Sequence, residues 1–215
     1  MREMGIKNAP KIELIRNNQG TIYKIVSYKV GSESLGGQKK DVEANTAILF
    51  RQNPNLKREI MKFHAISFLM GNRDLHVNNI MIQKDDNSMK LHCAPIDFGL
   101  SGHNMSIINK SIIGGIKSST YKTRFDTNTL KHSDANLLFT DDEFKPVLRA
   151  VLQDFEANKE KILNKIFHDC KALGVSNKEI KTLKTNIKSN CELASNFVKN
   201  DRGLLLNSSF SQPGL

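Results

Sequence analysis

The chain has 215 residues, 39% of them hydrophobic, no tryptophan, and a formal net charge of +10 from 32 Lys+Arg against 22 Asp+Glu. That length and apolar content suit one domain with a real core, while no apolar run nears the roughly 18 residues of a membrane span and MREMGIKNAPKIEL lacks the apolar centre of a signal peptide. Three widely spaced cysteines (Cys93, Cys170, Cys191) without a CxxC argue against a disulfide framework or a zinc site and fit a reducing, cytoplasmic setting.

In chain order, Lys11 to Arg16 and Thr21 to Val30 are rich in Ile, Val, Tyr and Thr and predict two strands, with NNQG between them as turn chemistry. A polar, flexible segment, GSESLGGQKK, follows. Asp41 can cap a helix over VEANTAILFRQ that stops before Asn53-Pro54, because the residue ahead of proline disfavours helix. A second helix from about Asn55 carries Leu56, Ile60, Phe63 and Ser67 on one side. Met61, Ile66, Phe68 and Leu69 widen its apolar surface, which predicts burial. IMIQ and KLHCAPI predict a hairpin around KDDNS. Residues 101–139 are irregular, and 140–203 predict helices opened by capping boxes at Thr140/Glu143 and Ser176/Glu179. Their apolar stripes are Val147, Leu148, Val151, Leu152 and Phe155, then Ile162, Leu163, Ile166, Phe167 and Cys170, and last Ile180, Leu183, Ile187, Ala194 and Phe197. Residues 204–215 read as a frayed tail.

Between the apolar runs HAISFLM and IMI lies GNRDLHVNNI, with an arginine, an acid, an imidazole and amides in a few positions. Asp74 and Asn79 fall in this loop, and Asp97 closes the other strand of the hairpin, so the KDDNS turn is expected to fold Asp97 back beside Asn79. Two carboxylates and an amide oxygen would then converge at one end of a short sheet. Magnesium takes oxygen ligands of this kind while keeping water and phosphate oxygens in its shell, a role that suits Asn79 and Asp97. Asp74 is free to accept a proton from an attacking hydroxyl or to orient it. The rival is a hydrogen-bonded loop pair of structural value.

NRDLHVNN followed by IDFG resembles the catalytic loop and metal motif of the protein-kinase-like superfamily, whose protein kinases carry H-R-D-L-x-x-x-N and D-F-G. Asn72 stands where that pattern has its histidine; Arg73, Asp74, Leu75, Asn79, Asp97, Phe98 and Gly99 match. His76 makes a D-x-H-x-x-N loop similar to those of aminoglycoside, choline and phosphoinositide kinases, so the loop sits between the branches. The resemblance runs in order over residues 11–100. It implies an α+β, kinase-like fold that is mostly the helical large lobe (32–203), with residual small-lobe strands and hinge at 1–31. It also implies Asp74 as base or orienting group, Arg73 and His76 bracing the loop, Asn79 and Asp97 holding Mg2+, and backbone near Tyr28, Val30 and Gly31 meeting the adenine of ATP. The acceptor would be a hydroxyl of a protein or a lipid headgroup.

The resemblance also has gaps. Ten residues precede the first strand, so a glycine-rich loop, a strand lysine and its helix glutamate have no counterpart in this sequence. A longer natural polypeptide, a pseudokinase, or a partner that supplies those parts would each account for this. No A-P-E follows the DFG, which favours an atypical, lipid or small-molecule branch over a protein kinase of eukaryotic type. GSESLGGQK has the glycine spacing of a Walker loop at Gly31 and Gly36 but Gly37 in place of its lysine. KDDNS lacks the glycine and closing glutamate of a calcium loop. The other class of function is a non-catalytic module. From Lys159 to Lys188 there are eight lysines against three acids, which read first as a pair of solvated helix faces and second as a basic face for an anionic ligand or membrane surface, such as inositol phosphate or phosphoinositide, with nucleic acid ranked behind. The Asn- and Lys-rich composition resembles effectors of intracellular bacteria, which would extend the cytoplasmic setting to a host cell.

Overall fold

The computed structural model describes residues 12–20, 22–27, 33–34, 48–72, 79–85, 87–96, 101–105 and 139–199. The described chain is α+β and mostly helical. Strands β1 (Ile12–Arg16) and β2 (Ile22–Ser27) form the expected antiparallel hairpin, with a register shift at Ile15/Arg16. Its NNQG turn closes through the Gly20 N–H on the Asn17 carbonyl at 2.9 Å, with Gly20 at a left-handed φ of 81°. The Arg16 guanidinium reaches the Gly20 carbonyl and, across the molecule, the carbonyl of Ala172.

A second sheet has the order β3–β4–β5, all antiparallel: β3 (Glu33–Ser34), β4 (Ile80–Lys84) and β5 (Leu91–Pro95). The β4–β5 hairpin is the predicted one. Asp85 Oδ1 accepts the N–H groups of Asn87 and Ser88 at 2.9 and 3.3 Å, the local bonding that makes Asp a turn former. These bonds, the Asn87 N–H foremost, hold the Asp85 carboxyl below its usual pKa. Strand β3 corrects the reading of residues 31–40 as wholly flexible: Glu33 and Ser34 pair with Ile82 and Met81. Two residues carry too little alternation to be seen in a sequence, and it is the open side of β4 that orders them. The opposite edge, β5, is covered by a carboxylate, one of the ways proteins blunt a free strand. Glu59 Oε2 accepts the Cys93 N–H at 2.8 Å and Oε1 meets His92 Nδ1 at 2.8 Å.

Residues 48–52 are helical, and the upstream part of the predicted helix lies outside the described residues. Helix α1 (Pro54–Leu69) begins where expected, with proline at its first position, where no N–H is needed. It is buried on almost every side from Ile60 onward. Helices α2 (Asp141–Ala172) and α3 (Asn177–Lys199) pack on it as an antiparallel pair. Both predicted capping boxes are present: Glu143 N–H on Thr140 Oγ1 at 3.3 Å with Thr140 N–H on Glu143 Oε2 at 2.9 Å, and the equivalent pair at Ser176 and Glu179. The core gathers Leu56, Ile60, Phe63, Phe68, Phe144, Leu148, Phe155, Ala194 and Phe197. His64 also sits in this core, fully buried, its ring edge-on to Phe63 and Phe139; among the described residues neither ring nitrogen has a hydrogen-bond partner. Burial lowers its pKa to about 3. The three cysteines are free thiols. Among the described residues, no helix is long and apolar enough to cross a membrane.

Candidate functional site

The candidate site begins at the end of α1. Gly71 takes φ 66°, its N–H bonds the Phe68 carbonyl at 3.0 Å, and the Asn72 N–H bonds the Ser67 carbonyl at 2.8 Å. This is the double bond of a helix ended by a left-handed glycine. It turns the chain sharply off the helix just before NRDLHVNN. Asn72, at the histidine position of the kinase pattern, is buried, at 1% exposure.

A second strip of chain, residues 101–105, lies against this helix end. The Gly102 N–H donates to the Met70 carbonyl at 2.8 Å, and the His103 N–H to the Gly71 carbonyl at 3.1 Å. The approach is so close that a Cβ on Gly71 would lie 2.1 Å from the His103 carbonyl oxygen. Only glycine meets both demands, the positive φ and the contact.

On the far side of the loop, Asn79 opens β4 and is buried, at 7% exposure. Its carbonyl accepts the Ile96 N–H at 2.8 Å, continuing the register in which Ile80 pairs with Pro95. The two candidate motifs are thus tied together at both flanks. Asn79, which follows residues 73–78, bonds Ile96, which precedes Asp97. Met70 and Gly71, which precede residues 73–78, bond Gly102 and His103, which follow residues 97–100.

Helix α3 locks this arrangement from behind. Asn190 is fully buried; its Nδ2 donates to the carbonyls of Leu69 (3.3 Å) and His103 (3.0 Å), and its Oδ1 accepts the Met105 N–H at 2.9 Å. One turn earlier, Asn186 Nδ2 donates to the Gly102 carbonyl at 2.7 Å. A buried amide that serves three backbone groups fixes a single geometry, because each group left unpaired in the interior costs about 1–3 kcal/mol. Neither asparagine figured in the sequence reading. The signal was there: two amides four residues apart interrupt the apolar stripe of Leu183, Ile187 and Ala194.

Of the residues expected to do chemistry, Asn79 is the one the structure describes. Arg73, Asp74, His76 and Asp97, and the adenine-side residues Tyr28, Val30 and Gly31, lie outside the described residues. Among the described residues no three His, Cys, Asp or Glu side chains converge as a metal-holding group. The donor set proposed for magnesium pairs Asn79, held at the strand opening, with a carboxylate one residue beyond its backbone partner. Such a hard-oxygen pair fits that ion. No protein-family model matches the chain, and no curated protein matches it.

Proposed function

We propose that the chain is an atypical phosphotransferase of the kinase type, moving the γ-phosphate of ATP to a hydroxyl of a protein or a phosphoinositide. One observation carries the reading. The segments holding Asp74 and Asp97 are flanked, on both sides, by residues hydrogen-bonded to one another. Phosphoryl transfer needs that kind of fixed proximity, since its catalysis is mostly positioning and charge stabilisation.

In this reading Asp74 orients the acceptor hydroxyl and takes its proton, while Arg73 and His76 steady the loop and its charge. Asn79 and Asp97 hold magnesium, which when bound neutralises charge on the nucleotide phosphates. Backbone groups at Tyr28, Val30 and Gly31 meet the adenine. The glycine-rich loop and strand lysine, absent from this sequence, are supplied by a partner or by further chain. Without them the rate of this chain alone falls by two to three orders of magnitude, roughly the cost of losing a preorganised charge.

The test is thermal unfolding of the wild type and Asp97→Ala with ATP, with and without magnesium. The expected result is a melting temperature raised by ATP only when magnesium is present, and only in the wild type. An ATP response that is the same in both proteins, or absent from both, would overturn the reading.

A further inference from the structure

The Lys-rich stretch noted in the sequence is not spread evenly over α2 and α3 once they are folded together. Near the turn that joins them lies a groove of about 480 Å³ lined by Phe167, His168, Lys171, Asn177, Lys181 and Lys184 among others, and among the described residues no carboxylate lines it. The acids next to its lining residues in sequence are engaged elsewhere: Asp169 with Lys165 at 3.2 Å along α2, and Glu179 in its own capping box with Ser176. Among the described residues, Lys171, Lys181 and Lys184 form no ion pair. Farther along the same two helices the pattern changes, with Lys159 paired to Glu156 at 3.1 Å and Lys188 beside Glu192 at 3.9 Å. Three lysines without an ion partner among the described residues thus converge on one groove.

Ordinary helix physics accounts for only part of it. Lys171 lies in the last turn of α2, where a cation favours the helix dipole. Lys181 and Lys184 have no such reason. They are mid-helix like charges at i,i+3, with Lys178 and Lys188 extending the series, a spacing that destabilises a helix. Lys184 is also held in place, its Nζ 4.3 Å from the centroid of the Phe167 ring. Asn177, the first residue of α3, adds an amide at the positive end of that helix.

We propose that this groove is an anion site for a ligand bearing clustered phosphate groups. Several ammonium groups, an imidazole and an amide around one concavity, with no acid among its described lining residues, are what such an ion requires. The groove also has a place relative to the candidate site. Lys184 is two residues and Lys181 five residues before Asn186, which bonds Gly102, so they lie about 3 and 8 Å along the helix axis from that contact. Two and five residues also turn the helix by about 200° and 500°, so the groove opens on a different side of the helix from that contact. The proposal does not depend on phosphotransfer and holds for a non-catalytic chain.

The experiment is calorimetric titration of inorganic tripolyphosphate in EDTA at low salt, using the wild type, Asp97→Ala, and the triple variant Lys171→Ala/Lys181→Ala/Lys184→Ala. All three substitutions are at exposed positions, so the variant is expected to fold, which its melting temperature checks. Omitting magnesium separates this site from a nucleotide site. Binding should be equal in the wild type and Asp97→Ala, about tenfold weaker in the triple variant, and weaker again in 0.3 M salt as screening sets in. Equal affinity in the triple variant, or no binding to the wild type, would overturn the proposal whatever becomes of the kinase reading. Soluble inositol bisphosphate and vesicles with 5% phosphatidylinositol bisphosphate then separate the two sources of such phosphates. Preference for the vesicles assigns a lipid headgroup, equal binding assigns a free metabolite, and either supports the site. Displacement of tripolyphosphate by a single-stranded oligonucleotide more readily than by both would make the groove a nucleic-acid contact and defeat the proposal.

Discussion

Gly71 and Gly174 form a matched pair that isolates the contact on which the candidate site depends. Each follows the last residue of a helix cap, at φ 66° and 82°, and each is flanked by the same two backbone bonds: Gly71 N–H to Phe68 and Asn72 N–H to Ser67, Gly174 N–H to Lys171 and Val175 N–H to Cys170. They differ in surroundings. A Cβ at Gly174 meets nothing within 4 Å, whereas at Gly71 it lies 2.1, 2.6 and 2.9 Å from the O, N and C atoms of His103. Gly174→Ala should therefore cost only the left-handed backbone, about 1–2 kcal/mol. Gly71→Ala carries that cost and also pushes residues 101–105 off the helix end. The Gly102–Met70 and His103–Gly71 bonds are then lost, at about 1 kcal/mol each. The expected total is about 3–4 kcal/mol, a difference of about 2 kcal/mol between the two variants. In a domain of this size that separates their melting temperatures by about 4–8 °C. Urea unfolding of both variants measures it. Equal destabilisation, within about 0.5 kcal/mol, would refute the claim that the two flanks are held by this contact.

Three further outcomes follow from buried groups. His64 is neutral in the fold, with its pKa lowered to about 3, while the unfolded chain takes up a proton below about 6.5. Stability is therefore full above that pH and declines as pH falls, by about 2 kcal/mol at pH 5; His64→Phe should remove this part of the slope, and an unchanged difference between pH 7.5 and pH 5 would contradict it. Asn190→Leu strands the Met105 N–H and the His103 carbonyl in the interior, for a loss of about 2–4 kcal/mol by denaturant titration; a loss below about 1 kcal/mol would mean that water replaces the amide. Desolvation, helped by Glu59, pushes the Cys93 thiol up, and burial raises Cys191 to about 12. Alkylation at pH 8 should therefore reach half-buried Cys170 first, and early modification of Cys93 would show that β5 opens.

Much of the local architecture was legible in the residues because local rules specify it. Asn17 to Gly20 makes a turn by itself, Asp85 bonds the two N–H groups just ahead of it, Thr140 and Ser176 each find a glutamate three residues on, and proline at 54 dates the start of α1. Helical spacing likewise identified Leu148, Val151 and Phe155 as core. The sequence also singled out GNRDLHVNNI and PIDFG as the stretches holding the candidate site residues, from residue type and resemblance.

What the sequence left open depends on partners far away along the chain. Strand β3 exists because β4 has an unpaired side, which no property of Glu33 or Ser34 announces. The closeness of Gly71 to His103 spans a hairpin and a loop, and Asn190 reaches back 121 residues to Leu69. The basic groove draws its lysines from two helices that only antiparallel packing sets side by side. A sequence fixes which groups want partners, through charge, amide and hydroxyl chemistry. Only tertiary packing decides which partners they get, because each such bond also depends on every intervening element closing the distance.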